Sequence, residues 1–496
     1  MRLFAITLSL LVAACATQPA AVFPPPPATE QRPVTETLHG VTFTDPYRWL
    51  EEQQSPETRA WIDKQNAYTD EILKDLPARQ QFADRLYALQ NTEQISQTPR
   101  YRGGRYFTMR RPVGQDLYAL YVREGQNGTD QLLIDPKKVS PDSSMSIGLT
   151  DVAGNGRLLA YYVRKGGADE VEQRFFDLDT MRESGSLPSA RYYGLSLSPD
   201  NHTVYYARMT GEGPRVFRRA VTGGPEEKLF GDGYGREKII EPSLSDDGHY
   251  LLIHVLHGSA APKIEVYLKD LRVNEPVRTI VNDLTARFTA LAAGDKLVIL
   301  TDWNAPNQRV MVADVADPAP AKWREIVPEN PKAAIQDVNL GGARIFVEYL
   351  EDVRARLVRY TIDGRADGEM TFDTHGNIDD VRGSWSSPLT FVRFSSFHVP
   401  PTIYAYDVAR NERTVFAQIA APVDPSRFTL EQAWYASKDG TRIPMWLLYR
   451  KGLKRDGTAP VYLTGYGGFA SSQLASFLPR AIAWAVMGGV YALPNL

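Results

Sequence analysis

A single cysteine among 496 residues excludes any internal disulfide, so the fold must be held by packing and hydrogen bonds. Charge of one sign is also lacking: a formal net charge of -3 offers no basic field to nucleic acid or to an anionic lipid surface. After the first residues, no stretch approaches the ~18 to 20 consecutive apolar residues that cross a bilayer as a helix. No glycine-rich phosphate loop and no His-Glu-x-x-His helix motif occurs, which removes two common routes to nucleotide and zinc chemistry. The seven histidines are His39, His202, His249, His254, His257, His375 and His398. Only His254 and His257 invite a metal reading. They fall in an alternating strand where a spacing of three puts them on opposite faces, so neither a metal nor a cofactor is expected.

What is present begins with Met1-Arg2 and an apolar run from Leu3 to Ala14, about half the length of a span and therefore an export signal. The run ends Leu11-Val12-Ala13-Ala14-Cys15, which resembles the bacterial lipobox, whose cysteine becomes a lipidated N-terminus. The expectation is a signal peptide over 1–15, lipid on Cys15, and a place in the bacterial cell envelope, anchored or periplasmic. Residues 16–33 carry Phe23-Pro24-Pro25-Pro26-Pro27 and read as a proline-rich tether. Residues 34–90 read as helical, with Ser55-Pro56 at a helix start and Trp61, Ala67, Tyr68, Ile72 and Leu73 at helical intervals.

From 91 to 425 the pattern is a strand, a tight polar turn and a strongly apolar strand, repeated. The turns mark positions 104, 156, 201, 248, 295, 342 and 388, spaced by 45 to 52 residues. Each is followed by a second hairpin, such as Ile264–Asp270 or Thr402–Asp407, making about four strands per unit. Four strands at this period predict a β-propeller of seven blades. A string of β-sandwiches would not repeat through seven equivalent units.

From 426 to 496 the pattern changes. Asp439-Gly440 is a hairpin turn, Val461-Tyr462-Leu463 reads as a buried strand running into Gly465-Tyr466-Gly467-Gly468-Phe469, and a helical segment leads to a strand at Val490. Strand, glycine loop, helix and strand open an α/β sheet.

Three stretches then resemble one family, the prolyl oligopeptidase family of serine peptidases. They are Thr44-Asp45-Pro46-Tyr47-Arg48-Trp49-Leu50-Glu51 with Trp61-Ile62-Asp63-Lys64-Gln65-Asn66; Ser437-Lys438-Asp439-Gly440-Thr441-Arg442-Ile443-Pro444; and the loop 465–469 with Met487-Gly488-Gly489-Val490-Tyr491-Ala492. The resemblance implies a seven-bladed β-propeller inserted in an α/β-hydrolase domain, here only partly present, that cleaves short peptides after proline while the propeller gates access. It implies that Tyr466 donates its hydroxyl to the oxyanion and that Phe469 lines the proline pocket. A monomer is expected when the protein is complete, touching membrane through the lipid alone.

Acyl transfer needs an activated serine, a histidine base and an orienting acid, and in α/β-hydrolases the serine sits in Gly-x-Ser-x-Gly. No such motif occurs in this chain. Gly194-Leu195-Ser196-Leu197-Ser198 lacks the second glycine and lies within the repeat, and Ser471-Ser472 follows the loop in the wrong register. The expectation is a fragment that stops before the triad and is inactive alone. Two alternatives remain open: a non-catalytic propeller lipoprotein that binds peptides or an envelope protein, and a family hydrolase preferring basic residues. The partial sheet is expected to expose an apolar edge and face around Val461–Leu463 and Val490–Leu493.

Overall fold

The computed structural model describes residues 23–468 and 471–496, and Cys15 and Phe469 lie outside the described residues. The chain divides into two compact units, one ending at Asp84 and the other running from Arg85 to Leu496.

In the first unit the helix Pro56–Lys74 starts where the sequence says, with the Ser55 side chain accepting from the Thr58 N–H. Two expectations fail here. The start of the segment expected to be helical is a hairpin, Val34–Leu38 paired with Val41–Asp45. Its two turn residues, His39 and Gly40, both have positive φ, the geometry of the tightest hairpin turn. The proline-rich stretch is no free tether in its described part. Tyr68 Oη donates to the Pro24 carbonyl at 2.6 Å, Gln65 Nε2 to the Pro27 carbonyl at 2.9 Å, and Trp61 Nε1 to Thr29 Oγ1 at 2.9 Å. Carbonyls of an extended proline-rich segment have no donor within that segment, so polar ends of the helix side chains take them up.

The second unit contains seven consecutive antiparallel sheets, six of four strands and one of five, between Gln94 and Gln418. In the six four-stranded sheets every predicted turn joins the first strand to the second, and in the five-stranded sheet it joins Arg100–Arg102 to Arg105–Arg111. The second strands are apolar on both faces because each side of a sheet packs on a different neighbour. Leu158 enters a cluster with Leu195 and Tyr206 of the third sheet, whereas Leu159 points the other way, to Phe107 and Leu120 of the first. Leu251 and Leu252 divide in the same manner between the third and fifth sheets. Phe346 and Val347 divide between the seventh and fifth. A last cluster joins Phe391, Ile403 and Ala405 of the seventh sheet to Ile95 and Tyr106 of the first. Seven clusters thus alternate with seven sheets, and each fully buried aliphatic or aromatic side chain in them contributes about 1.5–3 kcal/mol.

First strands are instead polar, with Thr150, Asp151, Ser196, Ser243, Asp337, Asn339 and Asp380 bordering two cavities. After the seventh sheet the chain forms the hairpin Phe428–Ala436 with Arg442–Arg450, turned at Asp439-Gly440. Val490–Pro494 pairs antiparallel with the second of these strands and parallel with Val461–Leu463, across the helix Pro479–Val486. The strand Val461–Leu463, read as buried, is exposed: it is the outermost strand of the sheet. Of the apolar surface expected to lie open, only this edge does. Tyr491, Ala492 and Leu493 are buried between two flanking strands and the helix.

Candidate functional site

The glycine loop leaves the edge strand at Thr464, whose N–H still donates to the Ala492 carbonyl at 3.1 Å. From there it bends over a cavity of about 550 Å³ bordered by Tyr466, Ser472, Arg480, Tyr491, Asn377 and Phe397. The cavity lies where the segment 471–478 docks on the seventh sheet. Asn377 Nδ2 donates to Ser476 Oγ at 3.0 Å, the Phe477 N–H to Ser395 Oγ at 3.3 Å, and the Leu478 N–H to the Phe397 carbonyl at 3.2 Å. The helix Pro479–Val486 follows at once and buries Ala481, Ile482, Ala483 and Ala485.

Tyr466 is 46% exposed, so its hydroxyl is available as a donor. Its ring lies against Gly468, where a Cβ would come within 2.8 Å of the Tyr466 Oη. Gly465 is close to Leu496 in the same way, a Cβ there standing 3.0 Å from its side chain. The two glycines let the loop fold this tightly, which is the physical reason for their place beside the tyrosine.

The electrostatics around the cavity are set by burial. Asp379 accepts from Ser395 Oγ at 2.8 Å and from Asn377 Nδ2 at 2.7 Å, yet burial still holds its carboxyl above the usual range. Burial also raises the Tyr491 hydroxyl and, outside this cavity and helped by the nearby Arg354, lowers His375, whose ring packs on Trp446 at 5.8 Å. None of the described residues around the cavity is a histidine, and Ser471 and Ser472 have no base beside them. The arrangement offers a hydroxyl donor at the edge of a polar pocket. His254 and His257 are engaged separately, His254 accepting from the Ala290 N–H at 3.0 Å and His257 paired with Glu265 at 2.8 Å.

Spacing along the chain gave no sign of Arg480 or Asn377, which reach the cavity through the packing of the last sheet on the seventh.

The family described as prolyl oligopeptidase, N-terminal beta-propeller domain, matches residues 26–419. The chain belongs to the prolyl oligopeptidase family. Among its relatives, the prolyl endopeptidase of Elizabethkingia meningoseptica is 28% identical over 485 residues, covering 95% of this chain and 68% of that protein. The dual function macrocyclase-peptidase POPB of Galerina marginata is 25% identical over 500 residues, covering 92% and 68%. A solved structure from an analysis of two prolyl endopeptidases superposes with a TM-score of 0.85 at 32% identity, covering 95% of this chain and 71% of that one. The seven-sheet region is therefore the β-propeller domain of this family of peptidases. Tyr466 and its loop lie beyond the matched residues 26–419.

Proposed function

We propose that this chain is the propeller-bearing part of a serine-type oligopeptidase that hydrolyses short peptides after proline. The observation that carries the proposal is the sheet at 428–494 that follows the seventh propeller sheet, with a donor tyrosine in a glycine loop at the mouth of a cavity. In this reading the seven sheets are seven blades closed into a ring, and the last four strands belong to an α/β-hydrolase sheet. Tyr466 serves the oxyanion, where a single well-placed donor is worth about 10²–10³ in rate, and Phe469 serves the proline pocket. The propeller admits only short, flexible peptides to the site. The 496 residues contain no Gly-x-Ser-x-Gly and are inert toward peptides by themselves. The lipid on Cys15 holds the protein, as a monomer, in the cell envelope.

The test is made on the protein purified from its own cells, with its intact mass measured alongside. Fluorogenic peptides carrying proline, arginine or alanine at the cleaved position are compared, and a fluorophosphonate probe reports an activated serine. Proline-selective cleavage with probe labelling supports the proposal, and arginine-selective cleavage replaces the specificity. A mass equal to residues 15–496 plus lipid, with neither cleavage nor labelling, would instead support a non-catalytic propeller lipoprotein.

A further inference from the structure

Three residues far apart in sequence meet in the middle of the propeller. Asp246 lies in the turn between the first and second strands of the fourth sheet. Its Oδ2 accepts the Trp385 N–H of the seventh sheet at 2.7 Å, and its Oδ1 lies 3.5 Å from Arg102 Nη2 of the first. In a seven-membered ring the fourth sheet stands opposite the seam between the first and the seventh. A contact from the fourth to both of these must therefore cross the central passage. Trp385 adds to it: its side chain packs against the buried cluster shared by the fifth and sixth sheets, and its Nε1 would be 3.7 Å from a Cβ at Gly294.

These contacts divide the passage. A cavity of about 400 Å³ lies toward the second and third sheets and one of about 340 Å³ toward the fifth and sixth, and both are bordered by Ser243 and Asp246. The three residues come from turn ends, and those turns gather at a single end of the sheets. At that end neighbouring turns also touch directly, Gly103 against Asn155 and Gly248 against Pro199. The opposite ends of the sheets carry Asn377 and Ser395, which bond the segment leading to the glycine loop.

We infer that Arg102, Asp246 and Trp385 form a plug that shuts the end of the propeller passage remote from the glycine loop, so that peptides do not reach the loop by threading through it. The same plug ties the first sheet to the seventh from across the ring. Asp246 is a positioning residue: its carboxylate holds the Trp385 main chain and the Arg102 guanidinium over the opening. The inference rests on reading the seven sheets as one closed ring.

The experiment places a sole thiol in the passage, Ser243→Cys with Cys15→Ser in the full chain, and measures its labelling by a small maleimide and by a polymer-bearing maleimide. Asp246→Ala and Trp385→Ala are compared with the parent, and Asp246→Asn keeps the acceptor for the Trp385 N–H while losing the charge facing Arg102. The plug predicts that labelling by the large reagent rises at least about tenfold in Asp246→Ala and in Trp385→Ala, and less in Asp246→Asn. Equal labelling in all variants overturns it. Disulfide formation between Tyr106→Cys and Phe391→Cys, whose native rings touch across the first and seventh sheets, separates the two ideas: a crosslink with unchanged labelling removes the plug and leaves the ring, and no crosslink removes both.

Discussion

The backbone N–H of Leu197 donates to Asp151 Oδ2 at 2.8 Å, joining the first strand of the third sheet to the first strand of the second. The next pair of sheets repeats the device with a neutral group, the Leu244 N–H donating to Ser196 Oγ at 3.3 Å. At both places a short polar side chain on one sheet satisfies a backbone donor of the next. Asp151→Ala leaves the Leu197 N–H unpaired and should cost about 1.5–3 kcal/mol, with Asp151→Asn retaining part of the bond. Urea unfolding with amide exchange at Leu197 checks this.

Gly103 has φ +56° and sits so close to the second sheet that a Cβ would stand 1.9 Å from the Asn155 carbonyl oxygen. Both the conformation and the contact oppose a side chain. Gly103→Ala is expected to cost about 2–3 kcal/mol, read as a fall in thermal midpoint, whereas Gly104→Ala, with open space around it, should cost less.

His254 joins the fourth sheet to the fifth through the Ala290 N–H, and burial lowers its pKa to about 4. A folded-state pKa below the unfolded one means that the unfolded chain binds the proton more readily. This stabilisation is therefore present above about pH 6.5 and is lost as pH falls toward 4. The ring keeps part of its surface open, so the loss should be about 1–2 kcal/mol. His254→Gln should remove this part of the acid sensitivity, and unfolding free energies at pH 7 and pH 4.5 would show the gap between the two proteins narrowing.

Glu348 behaves in the opposite sense. Burial, with the charges of Asp337 and Asp379 nearby, raises its pKa to about 8. The folded state then holds the proton that the unfolded state releases, so this contribution is full below about pH 4.5 and disappears as pH rises through 8. Glu348→Gln should be more stable than the parent at pH 8.5 by about 1–2 kcal/mol and nearly equal to it at pH 4.5. A variant less stable at both values would contradict the assignment.

The sheets were legible because each needs the same polar turn before the same doubly apolar strand, and that demand recurs at a fixed interval. Leu158-Leu159 and Leu251-Leu252 carry it most plainly. The hairpin at 34–45 escaped notice because His39-Gly40 is a weaker turn signal than asparagine-glycine, although histidine tolerates positive φ better than most residues. Val461-Tyr462-Leu463 looked like an interior strand by composition, but whether a strand is central or outermost depends on sheet order, which a short apolar run does not encode. The glycine loop with Tyr466 was readable through resemblance, and its cavity was not, since Asn377 and Arg480 arrive from elements about a hundred residues apart. Asp246 stands at the far limit of legibility: its partners lie 139 and 144 residues away, and a turn aspartate has an ordinary local explanation.

The cluster that joins the seventh sheet to the first also gathers the two ends of the whole array, because Ile95 at its entrance packs with Phe416 and Ala417 at its exit. No strand is shared at that seam. An array whose first and last strands are neighbours needs no long connection to bring the chain back to where the array began. That join is made, like those between the other neighbouring sheets, of side chains without a ladder of backbone hydrogen bonds, so the array is held by packing from its first sheet to its last.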